Sequence, residues 1–223
     1  WLSSRGLGDV YKRQILNVLK EQNIAENTFV IFTSDNGPWG WANIDGGSSG
    51  LFKGNKGSVY EGGYRVPAIA WMPGSVPQVT TTALASTLDF FPTMISMAGG
   101  EYDDQSLNGI DISNTFLDDI HVRTDVHYYR QDTLIALRHK EWKMYIKDPN
   151  PWDDGFTQKD MPLLYNVEHD PSEKYNIAKE NSEVVKVLND LATEHIQSVL
   201  KTPSQYDEIL PSYQSAYNEY NKK

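Results

Sequence analysis

The chain has 223 residues, of which 39% are hydrophobic and 12% aromatic, a composition typical of a folded globular protein. Its formal net charge of -10 disfavours a general surface for nucleic acid or anionic membranes, because both partners require a positive field. The absence of cysteine excludes disulfides, thiolate metal sites and a cysteine nucleophile within these residues. The longest apolar runs, such as VPAIAWMP, are much shorter than the roughly 20 residues that cross a bilayer.

The first 14 residues, WLSSRGLGDVYKRQ, read as a segment of foreign origin. They contain no initiator Met, no apolar signal core and no hydrophobic period that continues into the following residues. They resemble the translated adapter sequence found at the ends of genes assembled from short reads; the alternative is a genuine irregular N-terminal segment. On the first interpretation residues 1–14 carry no function and the native protein extends further upstream.

Residues 15–119 have the pattern of an α/β domain. The stretch ILNVLKEQNI places its apolar residues on one helical face, and the apolar strand Thr28–Thr33 follows after a short turn. A helix, a short loop and an apolar strand in this order predict half of a unit from a mostly parallel sheet. In such sheets ligands bind at the carboxyl ends of the strands, where the sequence SDNGP begins here.

A long loop and two further elements complete this region. Residues 37–63 are rich in glycine and lack a sustained period, which indicates a long loop that is either functional or disordered. The stretch Val66–Met72 predicts a second strand, and residues 83–100 predict a helix that ends at two glycines. Pro92 lies inside this helical pattern and predicts a kink or a break.

Residues 120–223 are expected to form a small C-terminal α+β subdomain and a tail. The segments VHYYR, TLIALRH, WKMYIKD and LLYNVE are closely spaced short strands and predict an antiparallel sheet. Residues 181–200 carry apolar side chains at helical spacing, which predicts one helix packed on that sheet. The polar, tyrosine-rich tail of residues 202–223 is expected to lie on the surface or to fray.

Two adjacent oxygen-bearing residues, Asp35 and Asn36, follow the first strand. Carboxylate and amide oxygens are the ligands that Ca²⁺ and Mg²⁺ prefer, and a turn allows neighbouring side chains to converge on one ion. The alternative is a simple turn in which Ser34, Asp35 and Asn36 bond to their own backbone. Residue types alone favour the simple turn.

A second candidate is Lys56, which lies in the sequence GNKGSVYEGG. Flanking glycines allow close approach of a ligand, and a lysine ammonium is a compact charge for a tetrahedral anion. Most loop lysines are merely solvated, and Lys53 competes for the same role. Composition does not decide between the two lysines.

Taken in order, NTFVIFTSDNGP and GGSSGLFKGNKGSVYEGGYRVPAIAWMPG form a long signature with few accidental matches. They resemble the sulfatase family, in its arylsulfatase branch within the alkaline-phosphatase superfamily. The later segments STLDFFPTMISMAGG, LNGIDIS, ALRHKEWKMYI and LLYNVEHDPSEKYNIA are also similar to that family. The resemblance runs from about residue 15 to about residue 205. It implies the C-terminal part of a sulfatase-type, mostly parallel sheet domain followed by the family's small C-terminal sheet.

The resemblance implies a role for each candidate residue. Asp35 and Asn36 correspond to two ligands of the calcium ion that polarises the sulfate. Lys56 corresponds to the lysine that holds a sulfate oxygen and stabilises charge as the S–O bond breaks. Lys53 is then a surface residue, and the EGGxR block with Glu61 and Arg65 is structural, with an internal pairing that shapes the loop.

The nucleophile that the resemblance implies does not occur in the chain. Sulfatases of this kind use a formylglycine made from the Cys or Ser of a Cys/Ser-x-Pro-x-Arg motif. The chain has no Cys, and its Ser-x-Pro sequence, Ser75-Val76-Pro77, is followed by Val79 where the motif requires Arg. The resemblance therefore implies that the nucleophile and the remaining metal ligands lie upstream, and that these residues alone are inactive.

The intact protein is expected to hydrolyse sulfate esters of a small molecule or carbohydrate and to be periplasmic, secreted or lysosomal. Two alternatives stay open, a phosphodiesterase or phosphonate hydrolase of the same superfamily and a non-catalytic binding module. The histidines are scattered and are expected to be structural, although in the resembling family the C-terminal sheet borders the active-site mouth. They are His121, His127, His139, His169 and His195.

Overall fold

The computed structural model of the chain describes residues 2–103, 107–149 and 162–200. Its helices and strands alternate in the first half, and four strands and a long helix form the second half. The elements are α1 Leu2–Glu21, β1 Val30–Thr33, α2 Glu61–Tyr64, β2 Ala68–Trp71, α3 Phe90–Met97, α4 Ser113–Asp118, β3 Asp125–Arg130, β4 Thr133–His139, β5 Trp142–Tyr145, β6 Leu163–Asn166 and α5 Ser182–Leu200. Within these ranges no helix has the length and apolar character needed to cross a membrane.

The first helix differs from the sequence-based expectation at its start. We interpreted residues 1–14 as a segment of foreign origin, with an irregular native segment as the alternative, and α1 runs without interruption from Leu2 to Glu21. The lack of apolar periodicity in this segment is consistent with a helix that buries little apolar surface, since Val10, Tyr11, Ile15 and Val18 are all exposed. The helical structure of residues 2–14 does not test whether this segment is of foreign origin.

The first strand was expected to have parallel neighbours, and this is wrong for the neighbour that the structure describes. β1 pairs with β2 in antiparallel register, with Val30 opposite Trp71 and Thr33 opposite Ala68. A parallel connection requires a crossover that returns the chain to the start of the first strand. The loop instead leaves and re-enters at the same end of the pair, where the Gly37 amide donates to the Gly63 carbonyl over 2.9 Å.

The helix expected over residues 83–100 is shorter than its pattern suggested. A 3₁₀ turn at Thr87–Asp89 leads into α3, and Leu84 forms an isolated β-bridge with Arg123. The predicted kink or break takes the form of a break, because α3 begins only at Phe90 and Pro92 is its third residue, where a missing amide donor costs no helical hydrogen bond.

The C-terminal antiparallel sheet is confirmed. Its strands follow in the order β3-β4-β5-β6, each antiparallel to the next, with a register shift between Tyr128 and Tyr129. Side chains alternate between the two faces, so the sheet buries a core on each side. The face toward the first half buries Val59, Tyr128, Ile135, Tyr145 and Val167 among others.

The predicted C-terminal helix is also confirmed. α5 begins at Ser182 and packs Leu188 and Ala192 against the other face of the sheet, where Leu137 and Met144 are fully buried. The expected surface tail, residues 202–223, lies outside the described residues.

A buried ion pair joins the middle of the chain to the C-terminal sheet. The carboxylate of Asp89 is completely buried and accepts from the guanidinium of Arg123, just before β3. Asp89 also accepts from the backbone amides of Ser86 and Ile110, at 2.8 and 3.0 Å. Such a carboxylate fixes three chain segments with one side chain.

Candidate active site

The turn after β1 presents Asp35 to solvent and leaves Asn36 half-buried. Ser34 Oγ donates to the Asn36 carbonyl over 2.9 Å, and the Asn36 side-chain nitrogen donates to the Gly37 carbonyl over 3.2 Å. The turn therefore does bond to its own backbone, as the simple alternative predicted. With the amide nitrogen held in this way, the Asn36 side-chain oxygen accepts no hydrogen bond from the residues that the structure describes.

A close backbone approach fixes the position of this turn. A Cβ atom added at Gly37 would lie 1.8 Å from the Gly62 carbonyl oxygen, so the two backbones touch. Only a residue without a side chain fits at Gly37. The turn is thereby seated on the EGG segment at residues 61–63.

Lys56 lies beside the same turn. Its backbone amide donates to the Pro38 carbonyl over 2.9 Å, two residues after Asn36. The flanking Gly54 and Gly57 have φ angles of +78° and +88°, which explains their identity because other residues rarely adopt this backbone conformation. The Lys56 side chain is exposed and forms no hydrogen bond or ion pair with the residues that the structure describes.

The structure separates the two candidate lysines. The ammonium of Lys53 lies 4.2 Å from the centre of the Tyr60 ring, a cation–π contact on the loop itself. Lys56 makes no such contact within the described part of the chain. Its backbone amide bonds to Pro38, directly after the turn of residues 34–37, which we call the Asp35 turn. Of the two lysines, Lys53 is the one whose ammonium contacts a ring of its own loop.

The donor chemistry of the turn suits a hard cation but does not complete its shell. Asp35 and Asn36 offer carboxylate and amide oxygens, whereas Ca²⁺ takes about six to eight oxygen ligands. Among residues 2–103, 107–149 and 162–200 no group of three His, Cys, Asp or Glu side chains could hold a metal ion. These two residues therefore fit part of a calcium site, and further ligands are needed.

Ser75 lies away from this site. The β1–β2 register places Thr33 and Ala68 next to the Asp35 turn and Val30 and Trp71 at the far end of the pair. Ser75 follows β2 in a turn whose amides bond back to Met72, so it is at that far end. The position agrees with the absence of an Arg at Val79, and both exclude Ser75 as a nucleophile for this turn.

Behind the loop lies a buried cluster of charged and phenolic side chains, which we call the Glu61 cluster. Its members are Glu61, Tyr128, Arg138, Lys143, Tyr145 and Glu173, and each is at most 4% exposed. Glu61 Oε1 accepts from Tyr128 over 2.7 Å and from Lys143 over 3.1 Å. Glu61 Oε2 accepts from Arg138 over 3.0 Å. The EGG segment is therefore bound by β3, β4 and β5 together.

Glu173 completes the cluster from the other side. Its Oε2 accepts from the Glu61 backbone amide over 2.9 Å, and its Oε1 lies 3.2 Å from Lys143 Nζ and accepts from the Tyr145 hydroxyl. Lys143 also donates to the Val59 carbonyl over 2.9 Å. One buried ammonium thus faces two buried carboxylates and a loop carbonyl.

The ionisation of the cluster follows from these contacts. Burial alone would raise the pKa of Glu61, but the positive charges of Lys143 and Arg138 and the Tyr128 hydrogen bond outweigh it and lower this pKa below its usual value. Burial and the Glu61 charge raise the pKa of Tyr128 well above its usual value. The cluster is accordingly held as a charged carboxylate that accepts from a neutral phenol.

Arg65 is less central to this cluster than its position in the EGGxR block suggested. Its guanidinium lies 3.9 Å from Glu61 and stacks 4.6 Å from the centre of the Phe52 ring. Arg65 and Phe52 line a surface cleft of about 430 Å³ between the glycine-rich loop and the turn after β6. The internal Glu–Arg pairing is present, but the stronger partners of Glu61 are Arg138 and Lys143.

Comparisons with known proteins decide the family. The sequence profile described as Sulfatase matches residues 11–100, and the profile described as C-terminal region of aryl-sulfatase matches residues 121–220. Together they account for most of the chain. The protein belongs to the sulfatase family.

Individual sulfatases are similar to this chain at moderate identity. Canine N-acetylgalactosamine-6-sulfatase is 33% identical over 199 residues, covering 78% of this chain and 38% of that protein. Human arylsulfatase A is 32% identical over 199 residues, covering 79% and 39%. The crystal structure of the PsFucS1 sulfatase from Pseudoalteromonas sp. superposes with a TM-score of 0.75 at 26% identity, covering 85% and 41%. The chain spans about two-fifths of the length of these relatives, and the expected sulfatase-type α/β fold is confirmed.

Sequence reasoning missed the partners of Glu61 in this sulfatase-family chain. Lys143, Arg138 and Glu173 occur in strands and a turn that read as ordinary amphipathic structure. A lysine in the middle of the apolar β5 pattern WKMY is the one signal that could have indicated a buried charge.

The histidines expected to be structural include one ordered pair. The rings of His127 and His195 stack with centres 3.5 Å apart and planes inclined by 15°, and His195 Nε2 lies 2.7 Å from the Tyr129 hydroxyl. Burial, followed by the His195 ring, lowers the pKa of His127 to about 4. His139 instead bonds Asp125 over 2.7 Å. The His127 and Tyr129 contacts with His195 join β3 to α5, the His139–Asp125 contact joins β4 to β3, and none of them involves the Asp35 turn.

Proposed function

We propose that this protein is a calcium-dependent sulfuric ester hydrolase and that the Asp35 turn and Lys56 form part of its sulfate site. The observation that carries the proposal is the 2.9 Å hydrogen bond from the Lys56 amide to the Pro38 carbonyl. It holds the backbone of an exposed lysine beside the turn that carries Asp35 and Asn36. A cation and hard oxygen ligands on one rigid loop suit the binding of a sulfate together with Ca²⁺.

Each residue has a distinct role in this proposal. Asp35 and Asn36 supply two of the calcium ligands, and a bound Ca²⁺ would draw electron density from the sulfate. Lys56 holds a sulfate oxygen and stabilises the negative charge that grows as the S–O bond breaks. Backbone contacts fix the loop that carries this ammonium, and a charge that is in place before reaction is an effective form of electrostatic stabilisation.

The nucleophile is proposed to come from outside these 223 residues. The sequence contains no Cys, and Ser75 lacks both the Arg of the expected motif and a place near the turn. We therefore propose that the 223 residues by themselves bind calcium weakly and do not turn over sulfate esters.

The substrate class follows from the relatives and is proposed more broadly than their names. One relative is named as an N-acetylgalactosamine-6-sulfatase and another as an arylsulfatase, so both carbohydrate and aryl sulfates are candidates. We propose a sulfated carbohydrate or small molecule as the substrate, and a periplasmic, secreted or lysosomal location.

The proposal is tested with an aryl sulfate and the full-length gene product. We expect hydrolysis that a calcium chelator abolishes and added Ca²⁺ restores. Lys56→Ala should lower kcat by about 10²-fold or more, as expected for removal of one preorganised charge-stabilising donor. Asp35→Ala should raise the Ca²⁺ concentration needed for half-maximal activity.

The matched control is Lys53→Ala, because Lys53 lies on the same loop but stacks on Tyr60. It should retain activity within about twofold, since the Lys53 ammonium contacts the Tyr60 ring. Full activity in both Lys56→Ala and Asp35→Ala would refute the site. Hydrolysis of an aryl phosphonate monoester in preference to the sulfate would favour the phosphonate hydrolase alternative, and no hydrolysis of either would favour a binding module.

A further inference from the structure

The loop that carries Lys56 is held by side chains from the C-terminal half of the chain. Lys143 donates to the Val59 carbonyl over 2.9 Å, Glu173 accepts from the Glu61 amide over 2.9 Å, and Ser172 donates to the Leu51 carbonyl over 2.8 Å. These contacts bond the loop backbone on both sides of Lys56. The loop therefore depends for its shape on residues that are at least 84 positions away in sequence.

The path from these contacts to Lys56 is short and rigid. The Ser58 amide and hydroxyl both donate to the Asn55 carbonyl, at 3.0 and 2.7 Å, which closes the turn that contains Lys56. The Gly62 amide donates to the Lys53 carbonyl over 2.7 Å, and a Cβ atom at Gly63 would lie 2.2 Å from the Ser58 carbonyl oxygen. A shift of Glu61 would therefore move the Lys56 turn as well.

We infer that Lys143 and Glu173 are positioning residues that set the place of Lys56 through the Glu61 segment, an inference that rests on the proposed sulfate site. Neither side chain reaches the Asp35 turn, so neither is catalytic. The C-terminal sheet thereby contributes to the site with residues buried behind it rather than with residues that touch the substrate.

The energetics of the cluster support a positioning role. Burying charges costs desolvation energy that their mutual attraction offsets only with excellent geometry, and well-packed apolar replacements are often equally stable. Apolar packing at this interface would allow the loop to shift relative to the sheet, since hydrophobic contacts are not directional. A buried ammonium with fixed acceptors at Val59, Glu61 and Glu173 defines one arrangement of the loop.

The first test is amide hydrogen exchange in the 223-residue chain, which does not depend on any enzymatic activity. In Glu173→Gln we expect the amides of Lys56, Gly62 and Gly63 to exchange at least about tenfold faster, because local opening of the loop becomes easier. Tyr145→Phe, which removes a hydroxyl bonded to Glu173 while keeping the ring, should change the same amides in the same direction. Tyr145→Phe provides the same test of loop opening if Glu173→Gln fails to fold.

The matched control is Asp89→Asn, which weakens another ion pair with a completely buried carboxylate that does not touch the loop. It should lower global stability and leave the exchange of the Lys56, Gly62 and Gly63 amides within about twofold of the parent when compared at equal stability. Unchanged loop amides in both cluster variants, or an equal acceleration in Asp89→Asn, would overturn the inference.

The second test is a double-mutant cycle for aryl sulfate hydrolysis by the full-length gene product. We expect Glu173→Gln to lower kcat by about tenfold with little change in KM, since misplacing a charge-stabilising group affects the transition state. If Glu173 acts through Lys56, then Glu173→Gln in the Lys56→Ala background should have no further effect on kcat. If the two substitutions instead lower kcat by independent factors that multiply in the double variant, the contribution of Glu173 is merely structural and the inference is contradicted. Full activity of Lys56→Ala alone would remove the proposed site, whereas the exchange result would stand independently.

Discussion

The ammonium of Lys143 lies 3.1 Å from the carboxylate of Glu61, which precedes it by 82 residues, and both side chains are almost completely excluded from solvent. Glu61 belongs to the region matched by the sulfatase profile and Lys143 to the region matched by the C-terminal aryl-sulfatase profile. The contact therefore joins the two sequence regions of the family in one buried cluster. The boundary between residues 119 and 120, which the sequence suggested, is crossed by the hydrogen bonds of Glu61 with Lys143 and Arg138.

The first prediction concerns the removal of this ammonium. Lys143→Met should lower the free energy of unfolding by about 3–5 kcal/mol at pH 7, because Glu61 and Glu173 would be left buried without their shared counter-ion. Urea denaturation measures the loss. The exposed helix residue Lys186 provides the control, since Lys186→Met should change stability by less than about 0.5 kcal/mol. A loss below about 1 kcal/mol in Lys143→Met would show that the cluster is weakly coupled to folding.

The stacked histidines predict a pH dependence of stability. The folded-state pKa of His127 is about 4, below its ordinary value of 6.5, chiefly because of burial and then the neighbouring His195. The unfolded state therefore binds more protons between these two pH values. The contribution of neutral His127 to the free energy of unfolding is fully present above about pH 6.5 and is lost as the pH falls toward 4. Nearby Asp125 opposes the shift and Arg123 adds to it.

The corresponding measurement is the difference in Tm between pH 7 and pH 5. His127→Gln should show a smaller difference than the parent, because glutamine does not titrate. His169→Gln, a change at an exposed turn residue, should leave the difference as in the parent. Equal pH sensitivity in the parent and His127→Gln would contradict the assignment to this ring.

Local patterns predicted those parts of the fold that depend on neighbouring residues. Short strand-like segments separated by turn residues predicted the four C-terminal strands, and helical spacing predicted α5. The strand and turn at residues 30–36 were also predicted, with Asp35 and Asn36 exposed or half-buried at its end. Their proposed roles came from the family resemblance, because residue types alone favoured a simple turn.

Long-range pairing could not be predicted from such patterns. The antiparallel partner of β1 depends on how residues 34–67 return, and a glycine-rich loop has no period that reveals its path. The bond between Glu61 and Glu173 spans 112 residues, and each looks like an ordinary polar residue in its own segment. The start of α1 was missed because a helix with little apolar periodicity resembles an irregular segment.

Gly37 should not tolerate a side chain. A Cβ atom there would meet the Gly62 carbonyl oxygen at 1.8 Å, so Gly37→Ala must separate the turn from the EGG segment and break the bond from the Gly37 amide to Gly63. The suitable comparison is Gly50→Ala, which has open space around it and only a strained φ of +64°. Gly50→Ala should cost roughly 1–2 kcal/mol, and thermal unfolding should show a larger loss for Gly37→Ala. Equal losses would mean that the close approach is easily relaxed.

The two-stranded sheet predicts self-association of the 223-residue chain. Phe32 and Ile69 are directly opposed across β1 and β2 and are 51% and 63% exposed, although both are large and apolar. Adjacent exposed apolar side chains on a short open sheet favour contact with a second copy, because association removes this surface from water. Sedimentation velocity should therefore show a sedimentation coefficient that rises with concentration.

Ile69→Thr tests the origin of this association. Threonine keeps the strand preference and adds a polar group, so the variant should remain folded and associate less than the parent. Val79→Thr is the matched control, since Val79 is 59% exposed but lies in a turn after β2. The control should behave as the parent does. An equal reduction in both variants would assign the association to general surface hydrophobicity, and no change in Ile69→Thr would exclude this face of the sheet.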